Sequence, residues 1–186
     1  MGEPYYLVRP QLEQHQVRVF SSNYELYGDM SRRVVHVLST FTPGVEVYSI
    51  DEAFLDLSGL QLLAPDLAAY GSRIRNTVKR HTGIPTCVGI APTKTLAKLA
   101  NRLACKQGTT GVLVLHTPVQ WEAALAGMAV EDIWGVGHCY ARKFYDLGIR
   151  TGAALAALPE HWLRRHMGGV VGQRLWRELH GQPCLE

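Results

Sequence analysis

This sequence has no long apolar run. Nothing in its 186 residues approaches the ~20 consecutive hydrophobic residues of a membrane-spanning helix, so no membrane association is expected. The start, Met1-Gly-Glu-Pro-Tyr-Tyr6, lacks a basic region followed by an apolar one and does not read as a secretory signal. Cysteine is scarce. Cys87, Cys105, Cys139 and Cys184 are widely scattered, none in a CxxC, and no histidine cluster has zinc-site spacing. A reduced, cytoplasmic chain is the expectation. Internal repeats and low-complexity linkers are also missing, and the length suits one or two domains. Net charge is only +3, too little by itself to announce a polyanion partner. The distribution says more. Between Asp66 and Glu122 there is no acidic residue, while Arg73, Arg75, Lys79, Arg80, Lys94, Lys98, Arg102 and Lys106 all fall there. Such an acid-free basic block attracts phosphates.

What the sequence does contain is organised around Val47-Tyr-Ser-Ile-Asp-Glu-Ala-Phe-Leu-Asp-Leu-Ser-Gly59, a strand pattern interrupted by adjacent carboxylates, Asp51 and Glu52. Acidic residues are depleted in strands and costly to bury unpaired. In an unbroken strand successive side chains point to opposite faces, so these two share a centre only where the chain bends. Val45–Ser49 and Ala53–Leu57 therefore read as hairpin partners with the acids at the turn. Two uses fit that position: a solvated hairpin tip, or a pair of ligands for a divalent cation such as Mg²⁺, which takes one or two carboxylates together with substrate phosphates.

Around that hairpin the pattern reads as follows. Residues 1–16 look irregular and Val17–Ser21 looks like a short strand. Ser22 or Asn23 caps a helix to about Thr40, with Leu26, Met30, Val34, Val37 and Phe41 as its apolar stripe, and Pro43-Gly44 stops it. A second helix runs from Asp66 to Arg80, with Leu67, Tyr70, Ile74 and Val78 buried, and ends at Gly83. Ile84–Ile90 is a strand, and Thr93 caps the next helix. There Leu96, Leu99, Ala100 and Leu103 form the core stripe, while Lys94, Lys98, Arg102 and Lys106 recur every four residues on another face. The row is either a solvated face or a phosphate-facing rail; the lack of interleaved acids favours the rail. Val112–Leu115 is a strand and Pro118–Ala126 a short helix. The order implies an α+β fold with helices on one face of a largely antiparallel sheet.

From Gly127–Val130 onward the pattern turns helical. Gly135-Val136-Gly137, followed by Arg142 and Lys143, suits either an ordinary αα-hairpin turn or a helix-hairpin-helix element whose amides meet a phosphate. Helices are expected over Pro159–Met167 and Gly169–Leu179. Arg164, Arg165, Arg174 and Arg177 read equally as phosphate contacts or surface charge. From Val130 on there are seven Lys/Arg against six Asp/Glu, so any grip on a polyanion there rests on local geometry rather than bulk charge.

Tyr48-Ser-Ile-Asp-Glu-Ala-Phe54 with Leu55-Asp-Leu-Ser58 resembles the palm signature of Y-family translesion DNA polymerases. Ser21-Ser-Asn-Tyr-Glu-Leu-Tyr27, Val88-Gly-Ile90 and Thr93-Lys-Thr-Leu-Ala-Lys-Leu-Ala-Asn101 are most similar to the UmuC-type subgroup. The motifs occur in the family's order and span essentially the whole sequence. The resemblance implies a partial palm with a remnant of the fingers over 1–127 and a small all-α helix-hairpin-helix thumb over 128–186. It implies two-metal nucleotidyl transfer with Mg²⁺ on Asp51 and Glu52, and nucleotide and DNA phosphates on Lys94, Lys98, Arg102 and Lys106. DNA contacts are implied at Gly135, Val136, Gly137, Arg142 and Lys143. Implied partners are primer–template DNA, deoxynucleoside triphosphates, a UmuD-type protein and RecA, in SOS repair and mutagenesis.

The sequence also departs from the family. No counterpart is found for the N-terminal strand carrying another metal-binding Asp and an aromatic steric gate, and Asp29 and Glu25, inside a helix, are poor substitutes. The little finger is likewise unmatched, and Cys105 stands where relatives commonly have lysine. The isolated chain is expected to be inactive or weak. A non-catalytic DNA-binding or regulatory module, or a gene remnant, is the alternative.

Overall fold

The computed structural model describes residues 3–60, 65–106 and 110–185. The positions 1–2, 61–64, 107–109 and 186, which belong to the two regions expected from sequence, lie outside the described residues. In chain order the elements are α1 (Tyr5–Gln14), α2 (Tyr24–Leu38), β1 (Val45–Val47), β2 (Ala53–Leu55), α3 (Leu67–Thr82), β3 (Val88–Ile90), α4 (Lys94–Lys106), β4 (Val112–Val114) and α5 (Pro118–Ala126). A 3-10 turn at Val130–Asp132 follows, then α6 (His138–Asp146), α7 (Gly152–Ala156), α8 (Glu160–His166) and α9 (Val170–Leu179).

The local signals act as chemistry requires. Asn23 caps α2 by accepting from Leu26 N at 3.1 Å, and Asp66 caps α3 by accepting from Ala68 and Ala69 N at 2.9 and 3.0 Å. These side chains satisfy amide donors that a helix start leaves without partners. Gly83 ends α3 in the left-handed conformation. Pro118 opens α5 behind a Thr117/Gln120 capping box.

Three expectations need correction. One largely antiparallel sheet was expected, but the described residues form two two-stranded sheets: β1–β2 is antiparallel and β3–β4 parallel. A parallel pair needs a crossover, and the basic helix α4 supplies it. Residues 5–14 are helical rather than irregular, although α1 buries none of its residues. The strand expected at Val17–Ser21 is irregular backbone. Val17, Val19 and Phe20 there are exposed, and alternation alone makes no strand without a neighbour to complete the ladder.

Packing positions α4 centrally. Leu96, Leu99 and Ala100 belong to a large apolar cluster that continues through Leu125, Met128, Phe144, Leu155 and Leu179. A smaller cluster, Val37, Tyr70, Ile74 and Val78, joins α2 to α3. On its other side α4 lies directly on β3. A Cβ placed on Gly89 would sit 2.1 Å from Asn101 N and 2.3 Å from Ala97 O, so the helix backbone occupies the volume a side chain would need. The same proximity brings Cys87, just before β3, to Cys105 in the last turn of α4. They form a disulfide with Cα atoms 5.8 Å apart, where the sequence reading expected free thiols. Separation of 18 residues along the chain hid a pairing that the crossover makes.

Candidate metal and phosphate site

The hairpin carries the two carboxylates as its residue pattern requires. β1 and β2 pair in the register Val45↔Leu55 to Val47↔Ala53, leaving 48–52 as the connection. Tyr48 N and Ser49 N both donate to Glu52 O at 3.0 Å, which folds the chain back on itself. Asp51 and Glu52 thus lie at a bend, not along a straight ribbon. Asp51 is exposed, and its Oδ1 accepts from Ser49 Oγ at 2.6 Å. Glu52 turns toward α4 and pairs with Lys98. Just beyond β2 the Asp56 carboxyl is held below its ordinary range by hydrogen bonding from Ser58, whose backbone N lies 2.8 Å away.

The row on α4 is not the bare cationic rail read from its own sequence. Lys94 pairs with Glu46 of β1, Lys98 with Glu52, and Arg102 with Asp132. Lys106 Nζ lies 3.2 Å from the other oxygen of Asp132. Acids from outside the helix do what interleaved acids do on a soluble one. Lys94 also lies 5.4 Å from the centre of the Phe54 ring, a distance at which a cation is attracted to the aromatic face. Lys94 and Lys98 are largely covered; Arg102 and Lys106 are about half exposed.

Three groups near these side chains are not evident from sequence. Tyr48, Phe54 and Trp134 form a triangle with ring centres 5.4 to 5.9 Å apart, joining the hairpin to the segment before the glycine turn. Asp132 links that same segment to α4. Glu178 of α9 is fully buried, and its Oε2 accepts from Thr95 N at 3.0 Å in the first turn of α4. Its Oε1 accepts from Cys184 N at 2.9 Å, and its carbonyl accepts from Thr93 Oγ1 at 2.9 Å. A carboxylate at a helix N-terminus meets unpaired amides and the positive end of the helix dipole. Partial burial raises the Cys184 thiol above its ordinary value, and the Glu178 charge adds to that. The sequence held a clue to Glu178: it follows Leu175 and precedes Leu179 on the apolar stripe of its helix.

The glycine turn is present in a different setting. Gly135 adopts φ 93°, which favours glycine, and Gly137 precedes α6. What leads into it is the 3-10 turn rather than an α-helix, and Val136 is buried. Arg142 and Lys143 lie exposed on α6, and Lys143 Nζ donates to His166 O at 3.0 Å.

Across residues 6–102 the chain matches the description of the impB/mucB/samB family. That match covers more than half of the sequence. The chain belongs to the impB/mucB/samB family. All of it aligns with protein UmuC of Salmonella typhimurium strain LT2 at 46% identity and with protein MucB of Escherichia coli at 42%. In both cases the chain spans 44% of the relative's length. DNA polymerase IV 2 of Mesorhizobium japonicum is 35% identical over 83% of the chain and 35% of its own length. These similarities agree with the resemblance to UmuC-type, Y-family polymerases that the motifs carry. The fold is shared with a DinB-family error-prone DNA polymerase of Sulfolobus solfataricus, at TM-score 0.75 and 22% identity over 98% of this chain and 53% of that one. An insertion ternary complex of Dbh DNA polymerase gives TM-score 0.74 at 22% identity, over 96% of this chain and 52% of that one.

Proposed function

We propose that this chain supplies the palm and thumb portion, over 1–127 and 128–186, of a translesion DNA polymerase. The reaction is attack of a primer 3′-hydroxyl on the α-phosphorus of a deoxynucleoside triphosphate, with pyrophosphate leaving. The observation that carries the reading is the Glu52–Lys98 pair, which puts a hairpin carboxylate against a cation of α4. One belongs with a metal ion and the other with the phosphates that ion accompanies.

Among the described residues no group of three His, Cys, Asp or Glu is placed to hold a metal ion. Asp51 and Glu52 still fit Mg²⁺, which binds through one or two carboxylates plus substrate phosphates. Mg²⁺ there would neutralise charge on the transferring phosphoryl group. With such an ion bound, Glu52 would be one of its ligands and Lys98 would be free to pair with a phosphate, so neither charge would be left unpaired. Lys94, stacked near Phe54, adds to the triphosphate side. Arg102 and Lys106 face the DNA backbone, and the amides around Gly135, Val136 and Gly137, with Arg142 and Lys143, follow the strand without reading its sequence. A UmuD-type partner, RecA and a role in cytoplasmic SOS mutagenesis follow from the same family reading.

On its own, this chain is expected to bind primer–template DNA and to extend it little or not at all. Anisotropy of a labelled primer–template duplex and a primer-extension assay with Mg²⁺ test this together. Binding without extension is the expected result. Robust extension abolished by Asp51→Asn contradicts the partial site, and the absence of any DNA binding contradicts the functional reading itself.

A further inference from the structure

The last two cations of α4 share one carboxylate. Asp132 presents Oδ1 to Arg102 and Oδ2 to Lys106. That carboxylate is fixed in place: it belongs to the 3-10 turn, whose Val130 is fully buried, and Ile133 after it is buried too. The Asp132 side chain is only 19% exposed, whereas Arg102 and Lys106 are 45% and 57% exposed. The cations therefore reach solvent on the side away from Asp132. Two acceptor oxygens on one anionic centre, each met by a separate cation, is also how a phosphodiester presents its two non-bridging oxygens.

We infer that Arg102 and Lys106 form an anion site for a backbone phosphate of bound DNA, and that Asp132 is an internal competitor for it. The inference rests on the nucleic-acid reading above and adds to it a residue that sets affinity. Without DNA, Asp132 holds both cations and joins α4 to the 3-10 turn. On binding, a phosphate draws the exposed guanidinium and ammonium outward, and part of the attraction is spent releasing Asp132. Affinity is thereby kept below what the two cations alone would give, which suits an enzyme that must let the duplex advance.

The test is Asp132→Asn in the full chain. The change keeps the shape and an acceptor oxygen, and removes the charge. Binding of a labelled primer–template duplex is measured by anisotropy over a series of salt concentrations. Asp132→Asn is expected to bind roughly three- to tenfold more tightly, with the slope of log K against log salt steeper by about one, since a phosphate contact adds about one unit. Asp132→Ser, a smaller polar replacement, is expected to behave in the same way if the asparagine disturbs packing. Two controls separate this from a general loss of negative charge. Glu122→Gln, at an exposed position on α5, is expected to leave binding within about twofold. Adding Arg102→Gln and Lys106→Gln to Asp132→Asn is expected to abolish the gain. Unchanged affinity and slope in Asp132→Asn, or an equal gain in Glu122→Gln, overturns the inference while leaving DNA binding intact. No binding by wild type or variant overturns the underlying reading and the inference with it. A gain seen with a deoxynucleoside triphosphate but not with the duplex moves the site to the nucleotide and also overturns it.

Discussion

Replacing Gly89 with alanine is expected to destabilise the fold severely. The added Cβ would meet Asn101 N at 2.1 Å and Ala97 O at 2.3 Å. Both are backbone atoms of α4, so no side chain can swing aside. The helix must lift off β3 by more than an ångström, and Leu96, Leu99 and Ala100, buried in the core on its other side, must shift with it. Ordinary overpacking costs about 1–3 kcal/mol. Here a whole helix moves, and a loss of roughly 4 kcal/mol or more is expected, in the range reserved for severe core damage. Chemical denaturation checks it. The control is Gly127→Ala, where φ is −86° and the nearest neighbour is 3.9 Å away; its stability is expected to stay within about 1 kcal/mol of wild type. Equal stability of Gly89→Ala and wild type would mean that α4 does not lie on β3 this closely.

Replacing Glu178 with alanine is the second large effect. The change leaves Thr95 N and Cys184 N without their acceptor. An orphaned buried donor costs about 1–3 kcal/mol. The truncation also opens a cavity in a fully buried position. Against this, the protein no longer carries a buried carboxylate, which is itself costly. Amide bonds and packing outweigh that relief, and a net loss of about 3 kcal/mol is expected. For a chain of this size it corresponds to a fall in Tm of about 6–12 °C. Glu178→Gln is expected to lose less. It keeps the volume and one acceptor, but its NH₂ must face one of two N–H donors. Thermal denaturation gives the size of the loss, and amide hydrogen exchange at Thr95 shows where it falls. Both variants matching wild type would remove Glu178 as the tie between α9 and the start of α4.

These two residues show what was and was not legible in the sequence. Asp66, Asn23, Gly83 and Pro118 act over a few residues, so their helices could be placed from local chemistry to within a residue or two. The Asp51–Glu52 bend was legible for the same reason: a carboxylate pair has no place inside a strand. Partnerships formed by tertiary packing were not legible. The row Lys94, Lys98, Arg102 and Lys106 was read as bare because its own helix contains no acids; the acids come from Glu46, Glu52 and Asp132, 26 to 48 residues away. The Cys87–Cys105 bond and the Tyr48–Phe54–Trp134 contact depend in the same way on the placement of α4 and of the turn before α6. The missed helix α1 and the absent strand at Val17–Ser21 have a different cause. Both stretches are largely exposed, so local propensity was not arbitrated by burial.

The central claim is that Glu52 and Lys98 hold each other in place until a metal-bound triphosphate takes both. Calorimetric titration of deoxyadenosine triphosphate into the full chain, with and without Mg²⁺, tests it most directly when wild type, Lys98→Gln and Glu52→Gln are compared. Wild type is expected to bind only with Mg²⁺. Lys98→Gln should bind at least tenfold more weakly, and Glu52→Gln should lose the Mg²⁺ dependence while its freed lysine retains some affinity for the nucleotide alone. Three titration curves that coincide, or binding by wild type that is indifferent to Mg²⁺, would contradict the account.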